Sequence, residues 1–460
     1  MNFRTAILIF TAALCAASAQ TPPSSIPAAP PPGRGFTPPL KSPEVSADGR
    51  VTFRLRAPNA REVFVTGMGQ RLAMQKNEQG IWTATTDPMK PDIYSYSFSV
   101  DGATFTDPGN PQFKTAYGSA GQSLLHVPGP GSWEPGTGVP RGAVTRHFYH
   151  SGVVGDDRDF WVYTPAHYDP RRKEPYPVLY LLHGLGDESG SWIGVGAANV
   201  ILDNLIAQGK AKPMIMVNPL GYGTAGGGMG GPNMLEYFAR ALVEEVMPQV
   251  EKIYNVSKDR NQRAIAGLSM GGAEATFTGL NHLDKFAWIG SFSGAYVMWP
   301  GANGGGRRGP GAPGTPGTPG AGAPAGATPG APVATIAAGT PMIGAPGAAT
   351  VGAPGSAAPG AAGPAGGRGG RGGAPSLDPS IIPKNFSHLD AKANSQIRLL
   401  WIACGTADSL IGVNRQFKDW LKSRDVKFTD LEVPGVGHVW PLWRQNLTEL
   451  APLLFQAKGK

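Results

Sequence analysis

The sequence predicts an α/β fold preceded by a small all-β sandwich, and three observations carry that prediction. From Val45 to about Val127, short runs alternate apolar and polar residues and are punctuated by turn signals. From about residue 143, continuous apolar runs alternate with stretches of helical periodicity. Between these regions, Pro128 to Pro140 carries four glycines and four prolines, the composition of a boundary. Period-two alternation marks half-buried strands, whereas continuous apolar runs suit parallel strands covered on both faces.

In chain order, the first element is Met1-Asn2-Phe3-Arg4, an apolar run from Ala6 to Ala17, and then Ala17-Ser18-Ala19. Charge, apolar stretch and small residues in that order read as a secretory signal peptide over residues 1–19, cut after Ala19. The apolar run is too short to span a bilayer comfortably. The expectation is a secreted or periplasmic protein without a membrane partner. After cleavage Cys404 is the one cysteine left, so no internal disulfide can form. It lies in the apolar run Leu399–Cys404 and reads as a small buried residue, not a nucleophile.

Residues 20–40 are a proline-rich linker. Over residues 41–130, Val51, Phe53 and Leu55 alternate with Thr52, Arg54 and Arg56, and Tyr94, Tyr96, Phe98 and Val100 alternate with serines. Such strands at this spacing predict a β-sandwich. Residues 131–142 form a second linker. The rest, 143–460, holds strand candidates at Val178–Leu182, Met214–Leu220, Ala264–Leu268, Ala287–Phe292 and Arg398–Ala403. Leu235, Phe238, Leu242, Val246, Val250 and Ile253 recur as on one helix face. Alternating β and α elements imply a mostly parallel sheet. Residues 301–375 interrupt this order. They are almost entirely Gly, Ala, Pro and Thr, a composition that cannot bury enough apolar surface to offset its ordering entropy, so a disordered insert is expected.

The formal charge is +8. Arg4 leaves with the signal peptide, and Arg307, Arg308, Arg368 and Arg371 lie in the insert, which leaves +3 for the folded parts. That is an ordinary surface and not a nucleic-acid footprint. No cluster has metal-ligand spacing, and Gly226–Gly231 lacks the lysine of a nucleotide loop, so neither metal nor cofactor is expected.

The strongest chemical signal is Gly267-Leu268-Ser269-Met270-Gly271, placed between an apolar run and a helix start. A serine on a tight strand-to-helix turn exposes its hydroxyl above the sheet, and glycines two residues either side relieve the crowding. Ser269 is thus the candidate nucleophile. A serine hydroxyl needs a base. His438 lies in a small-residue turn after the strand candidate Phe428–Val433. The orienting acid should follow a late strand and lie between serine and histidine. Asp408 meets both conditions; Asp378 and Asp390 are the alternatives, and neither follows a strand. The order Ser269, Asp408, His438 is that of α/β-hydrolases. An oxyanion hole would take the N–H of Met270 and, from the loop after Val178–Leu182, that of Leu185. Trp192 and Trp299 are candidates for the substrate pocket.

At these residues the chain resembles the esterase D-like group of carbohydrate esterase family one, which includes feruloyl esterases. The matching stretches are Tyr180–Gly184, Asn204–Ala207, Arg263–Gly272, Cys404–Asp408 and Gly437–Trp440. The N-terminal part resembles the immunoglobulin-like, glycogen-binding-module-like domain that often precedes such esterases. The resemblance implies hydrolysis of feruloyl or acetyl esters on plant cell-wall polysaccharide, with polysaccharide contact through the N-terminal domain. The group also includes siderophore-ester hydrolases, which leaves a small-molecule esterase as the alternative. A polysaccharide-binding protein with an inert hydrolase domain is the third. The long insert after Trp299 departs from the pattern on the side where substrate should approach.

Overall fold

A computed structural model describes residues 40–117, 121–225, 233–302 and 375–457. The expected signal peptide, all of the first linker but Leu40, the Gly226–Gly231 run and nearly all of the insert lie outside the described residues.

The N-terminal part forms two antiparallel sheets. One has four strands, with Val51–Arg56 and Ile81–Thr85 at its centre; the other has six, built around Val63–Gly67, Asp92–Val100 and Gln122–Val127. Val51, Phe53 and Leu55 point inward against Val65, Tyr96 and Phe98, as period two requires, while Thr52 and Arg54 stay partly exposed. The arrangement is sandwich-like. The Tyr96 hydroxyl donates to Asp107 (2.8 Å), as does that of Ser42 (2.6 Å), and Trp82 Nε1 donates to Ala57 O (2.8 Å), so the polar tips of these two core aromatics are satisfied.

The second part is an eight-stranded mixed sheet. Its spatial order is Ala143–His150, Asp157–Thr164, Ile215–Pro219, Val178–Leu182, Arg263–Leu268, Trp288–Phe292, Leu399–Gly405 and Thr429–Val433. The first two strands are antiparallel, and the remaining six run parallel to one another. The apolar runs become the central strands, with every residue of Val178–Leu182, Ile215–Pro219, Arg263–Leu268 and Trp288–Phe292 buried. Alternate residues serve opposite faces. Tyr180, Leu182, Ile265 and Ile289 join one apolar cluster, under the helices Met270–Asn281 and Ile411–Ser423. Leu179, Leu181, Ala264 and Ala266 join the other, under Ala198–Ala207 and Trp440–Leu450. Each fully buried aliphatic side chain in these layers contributes about 1.5–3 kcal/mol.

Two features depart from the sequence reading. The antiparallel strands Ala143–His150 and Asp157–Thr164 are not among the strand candidates; the outer one is exposed or half-exposed throughout and offers no apolar run, whereas the inner one carries the apolar run Phe160–Tyr163, too short to stand out between polar neighbours. The segment Met234–Ile253 is helical but contains a π-helical turn, Leu242–Val246. Leu235, Phe238, Leu242, Val246 and Val250 are buried, whereas Ile253, at the end, is exposed.

Candidate active site

Ser269 stands where the central strand Arg263–Leu268 meets the helix Met270–Asn281. Its backbone sits at φ 53° and ψ −114°, a conformation that costs a non-glycine residue on the order of 1–3 kcal/mol. Local hydrogen bonds hold it there. The Ser269 N–H donates to Phe292 O (2.8 Å), and its carbonyl accepts from Gly272, Ala273 and Ala295 N–H at 3.0, 3.1 and 2.9 Å. The two flanking glycines are required by close approach. A Cβ on Gly271 would lie 2.7 Å from the Leu182 carbonyl oxygen, and one on Gly267 would overlap the Gly271 carbonyl. The turn therefore tolerates no side chain at either place.

Asp408 follows the strand Leu399–Gly405, and His438 follows Thr429–Val433. These strands are successive neighbours at the same edge of the sheet, two and three places from the serine's strand. His438 Nδ1 lies 2.8 Å from Asp408 Oδ2, and Asp408 Oδ1 accepts the Leu410 N–H at 2.8 Å. Burial alone would push the Asp408 carboxyl up. The hydrogen bond and charge of His438, the Leu410 N–H and the Ser293 hydroxyl outweigh that and hold it below the usual range. An ionised carboxylate on Nδ1 keeps the imidazole proton there and leaves Nε2 free to accept one. Of the alternative acids, Asp378 accepts from Ser380 N–H and Asp390 from Lys392 N–H, each in a local turn.

Ser293 was not anticipated. It is fully buried at φ 51°, its N–H donates to Ala403 O (2.7 Å), and its hydroxyl accepts from Trp443 Nε1 (3.3 Å). It links the serine's turn to the Asp408 strand, and Trp443 packs edge-on to the His438 ring at 4.8 Å. The signal in the sequence is faint: two serines closing an otherwise apolar run, Trp288–Ser293.

The loop after Val178–Leu182 runs directly beside the serine, since a Cβ on Gly184 would lie 3.3 Å from Ser269 Cβ. Gly186 adopts φ 81°, and Asp187 N–H closes the turn onto Gly184 O (3.1 Å). His183 is buried within it. Its Nε2 accepts the Gly221 N–H (2.9 Å), which places its proton on Nδ1, 2.8 Å from Gly184 O. Burial pulls its pKa below the ordinary histidine value, so the ring is neutral and rigidly bonded on both sides. Among the described residues, neither Leu185 N–H nor Met270 N–H donates to a protein acceptor. Unpaired backbone donors flanking a serine can stabilise negative charge developing on a bound carbonyl oxygen.

The structure places Trp192 and Trp299 in the core, not at an open pocket wall. They retain 0% and 1% exposure, and their indole N–H groups donate to Leu182 O (2.8 Å) and Ala273 O (3.1 Å). Trp299 stacks on Tyr296 at 4.4 Å. A large indole that reaches a backbone carbonyl fills a core as well as it lines a cleft. Trp440, two residues after His438, is half-buried and edge-on to both Trp192 and Trp443. Leu185 keeps 46% exposure.

Two buried ionisable groups sit nearby. Cys404 is pushed up to about 12 by burial, which leaves the thiol protonated and inert. Glu274, on the serine's helix, is fully buried with neither carboxyl oxygen hydrogen-bonded, and burial raises its pKa well above the ordinary value. Among the described residues, no group of three or more His, Cys, Asp or Glu side chains is arranged to hold a metal ion.

The family model described as "Putative esterase" matches residues 151–308, which contain the Ser269 turn and the 183–187 loop. An endo-1,4-beta-xylanase/feruloyl esterase of Xylanibacter ruminicola is 34% identical over 280 residues, covering 56% of this chain and 36% of that protein. Endo-1,4-beta-xylanase Y of Acetivibrio thermocellus is 31% identical over 167 residues, 34% of this chain and 14% of that protein. The chain thus spans about a third of the length of the first curated relative and less of the second. The crystal structure of the enterobactin esterase from Shigella flexneri is 18% identical and superposes with a TM-score of 0.55, covering 88% of this chain and 92% of that one. At that identity the likeness is one of fold.

Proposed function

We propose that this chain is a secreted or periplasmic serine esterase whose substrates are feruloyl or acetyl esters on plant cell-wall polysaccharide. One observation carries the reading: a serine in a strained strand-to-helix turn at the end of a central strand, in the same parallel sheet whose last two strands lead into a buried carboxylate bonded to Nδ1 of a histidine. The Ser269 hydroxyl attacks the ester carbonyl while His438 Nε2 takes its proton. The carbonyl oxygen becomes an oxyanion between Leu185 and Met270 N–H. Collapse breaks the ester bond, and the histidine returns the proton to the leaving alcohol. Water then attacks the acyl-serine, again with His438 as base, and releases the acid and the free serine. No step needs a cofactor. The acyl group is assigned to the apolar surface of Leu185, exposed in the loop that passes the serine, and of Trp440, two residues after His438.

The feruloyl preference is supported by the relative whose name includes that activity. The N-terminal part, residues 41–130, is read as an immunoglobulin-like domain that contacts polysaccharide, joined by residues 131–142 to the catalytic part, 143–460. A second reading, hydrolysis of a siderophore ester, is favoured by the fold shared with an enterobactin esterase across most of both chains. An inert hydrolase domain is disfavoured, because the serine, histidine and aspartate that such chemistry needs are all present and His438 Nδ1 lies 2.8 Å from Asp408 Oδ2.

The test is a panel of methyl ferulate, acetylated xylan and a cyclic catecholate siderophore ester, ranked by kcat/KM, beside Ser269→Ala. Ferulate or acetyl-xylan should lead, and the variant should lose on the order of 10⁴-fold in kcat while staying folded. A leading siderophore ester would favour the second reading. Turnover undiminished in folded Ser269→Ala would overturn both.

A further inference from the structure

The oxyanion loop is held from two sides, and one of them is the N-terminal sandwich. Lys114 lies on the short strand Phe113–Lys114, which is hydrogen-bonded to Gln122–Val127 of the six-stranded sheet. Its Nζ reaches Asp187 Oδ1 at 2.8 Å, and the two side chains keep only 13% and 8% exposure. Three residues on, the Tyr117 N–H donates to Gly186 O at 3.1 Å. The Tyr117 ring packs against Tyr222 at 4.4 Å. The Tyr222 hydroxyl accepts the Gly186 N–H (2.8 Å) and donates to Asp187 O (3.0 Å), and burial keeps it protonated. Gly186 and Asp187 are therefore fastened at four points, directly after Leu185, whose own N–H meets no acceptor among the described residues.

We infer that Lys114 and Tyr117 are positioning residues for ester hydrolysis, so that the N-terminal domain is part of the catalytic apparatus and not only a binding module. This rests on the proposed role of Ser269 and the Leu185 N–H. An oxyanion donor acts only if its hydrogen points where the oxygen will be, and small displacements forfeit much of the gain. The Leu185 N–H is set by the backbone on either side of it. His183 fixes the upstream side and the Asp187 anchorage the downstream side. Removing the Lys114 ammonium leaves a nearly buried carboxylate unpaired, and the loop must move to solvate it. Losing an oxyanion donor outright costs on the order of 10²–10³ in kcat, so loosening one should cost on the order of 10-fold.

The experiment uses the full chain and a p-nitrophenyl ester. Lys114→Met should lower kcat about 10-fold with KM within about twofold, and Lys114→Arg should restore most of the loss. A fluorophosphonate, whose attack by serine also develops an oxyanion, should react with Lys114→Met proportionately more slowly. Ser132→Ala removes a contact of the 131–142 linker with Thr448, away from the 183–187 loop, and should leave kcat unchanged. Asp187→Asn should lower kcat comparably, and adding Lys114→Met to it should cost little more, because both act through one contact. A kcat for Lys114→Met equal to wild type, or a rise in KM alone, overturns the inference. Amide exchange over residues 183–187 separates it from the reading on which it rests. If the wild type cleaves no ester, the role of Ser269 fails, and the brace is then judged by exchange alone. Faster exchange in Lys114→Met upholds the brace, and equal exchange sinks it.

Discussion

Replacing Asp408 with asparagine exchanges one carboxylate oxygen for an amide group at the point where His438 is held. The Asp408 side chain is wholly buried, with Oδ2 2.8 Å from His438 Nδ1 and Oδ1 accepting from Leu410 N–H. Asparagine can keep its oxygen on Leu410, but its NH₂ then faces Nδ1. The imidazole must turn Nδ1 into an acceptor and carry its proton on Nε2, the atom that should take the proton of Ser269. The shape is preserved and the base is lost. A loss of about 10⁴-fold in kcat is expected, about 5 kcal/mol of barrier at 1.36 kcal/mol per tenfold. KM should move little, because the change is felt only once the histidine must accept a proton. Stability gives a second, signed readout. The Asp408 carboxyl is held below its ordinary value, so the folded state binds fewer protons than the unfolded one in acid. The wild type should therefore gain stability over Asp408→Asn as pH rises from acid toward neutral and lose that advantage as the carboxylate protonates. Steady-state kinetics on a chromogenic ester, with active sites counted by fluorophosphonate and Tm followed from pH 3 to 8, read both effects. A folded variant within tenfold of wild type in kcat would refute the role of Asp408, and a larger loss in Asp378→Asn would name the wrong acid.

Three further outcomes are expected. Gly271→Ala places a methyl against the backbone carbonyls of Leu182 and His183; neither can move cheaply, so a loss of about 1–3 kcal/mol in denaturant unfolding should accompany a fall in kcat, and an unchanged kcat would show that the turn is slack. Glu274 has a raised pKa, so its ionisation opposes folding increasingly as pH rises above its ordinary value; Glu274→Gln should gain stability relative to wild type between about pH 5 and pH 8, and a flat or falling Tm difference would contradict a buried neutral acid. The flanks of the insert are pinned, with Asn385 Nδ2 donating to Pro300 O (3.0 Å); replacing residues 303–374 with about eight Gly/Ser residues should keep small-ester kcat/KM and leave Tm equal or higher, with roughly 2 kcal/mol the most that loop shortening contributes, and a collapse of either would show that the segment completes the fold or the site.

What was legible in the sequence is what short-range sterics and burial impose. A serine between glycines at plus and minus two, after an apolar run and before a helix, is a local statement about crowding, and the same backbone contacts are found around Gly267 and Gly271. Parallel strands buried on both faces have to be apolar throughout, so Val178–Leu182, Arg263–Leu268 and Trp288–Phe292 announce themselves. Strand ends at one edge of a parallel sheet are where Asp408 and His438 had to be sought, and the structure brings their side chains into hydrogen bond. The tertiary structure decided the rest, because a side chain of the same chemistry can serve two environments. Trp192 and Trp299 have the size for a pocket or a core, and only the packing of the sheet on its helices settled on the core. The exposed alternation of Ala143–His150 becomes a strand only by pairing with Asp157–Thr164. Lys114 meets Asp187 across 73 residues, and Arg444 meets Asp92 across 352. Nothing local to any of these four residues favours its partner. Such pairs form only when two independently patterned layers are brought face to face, and burial then makes an unpaired charge too costly to leave.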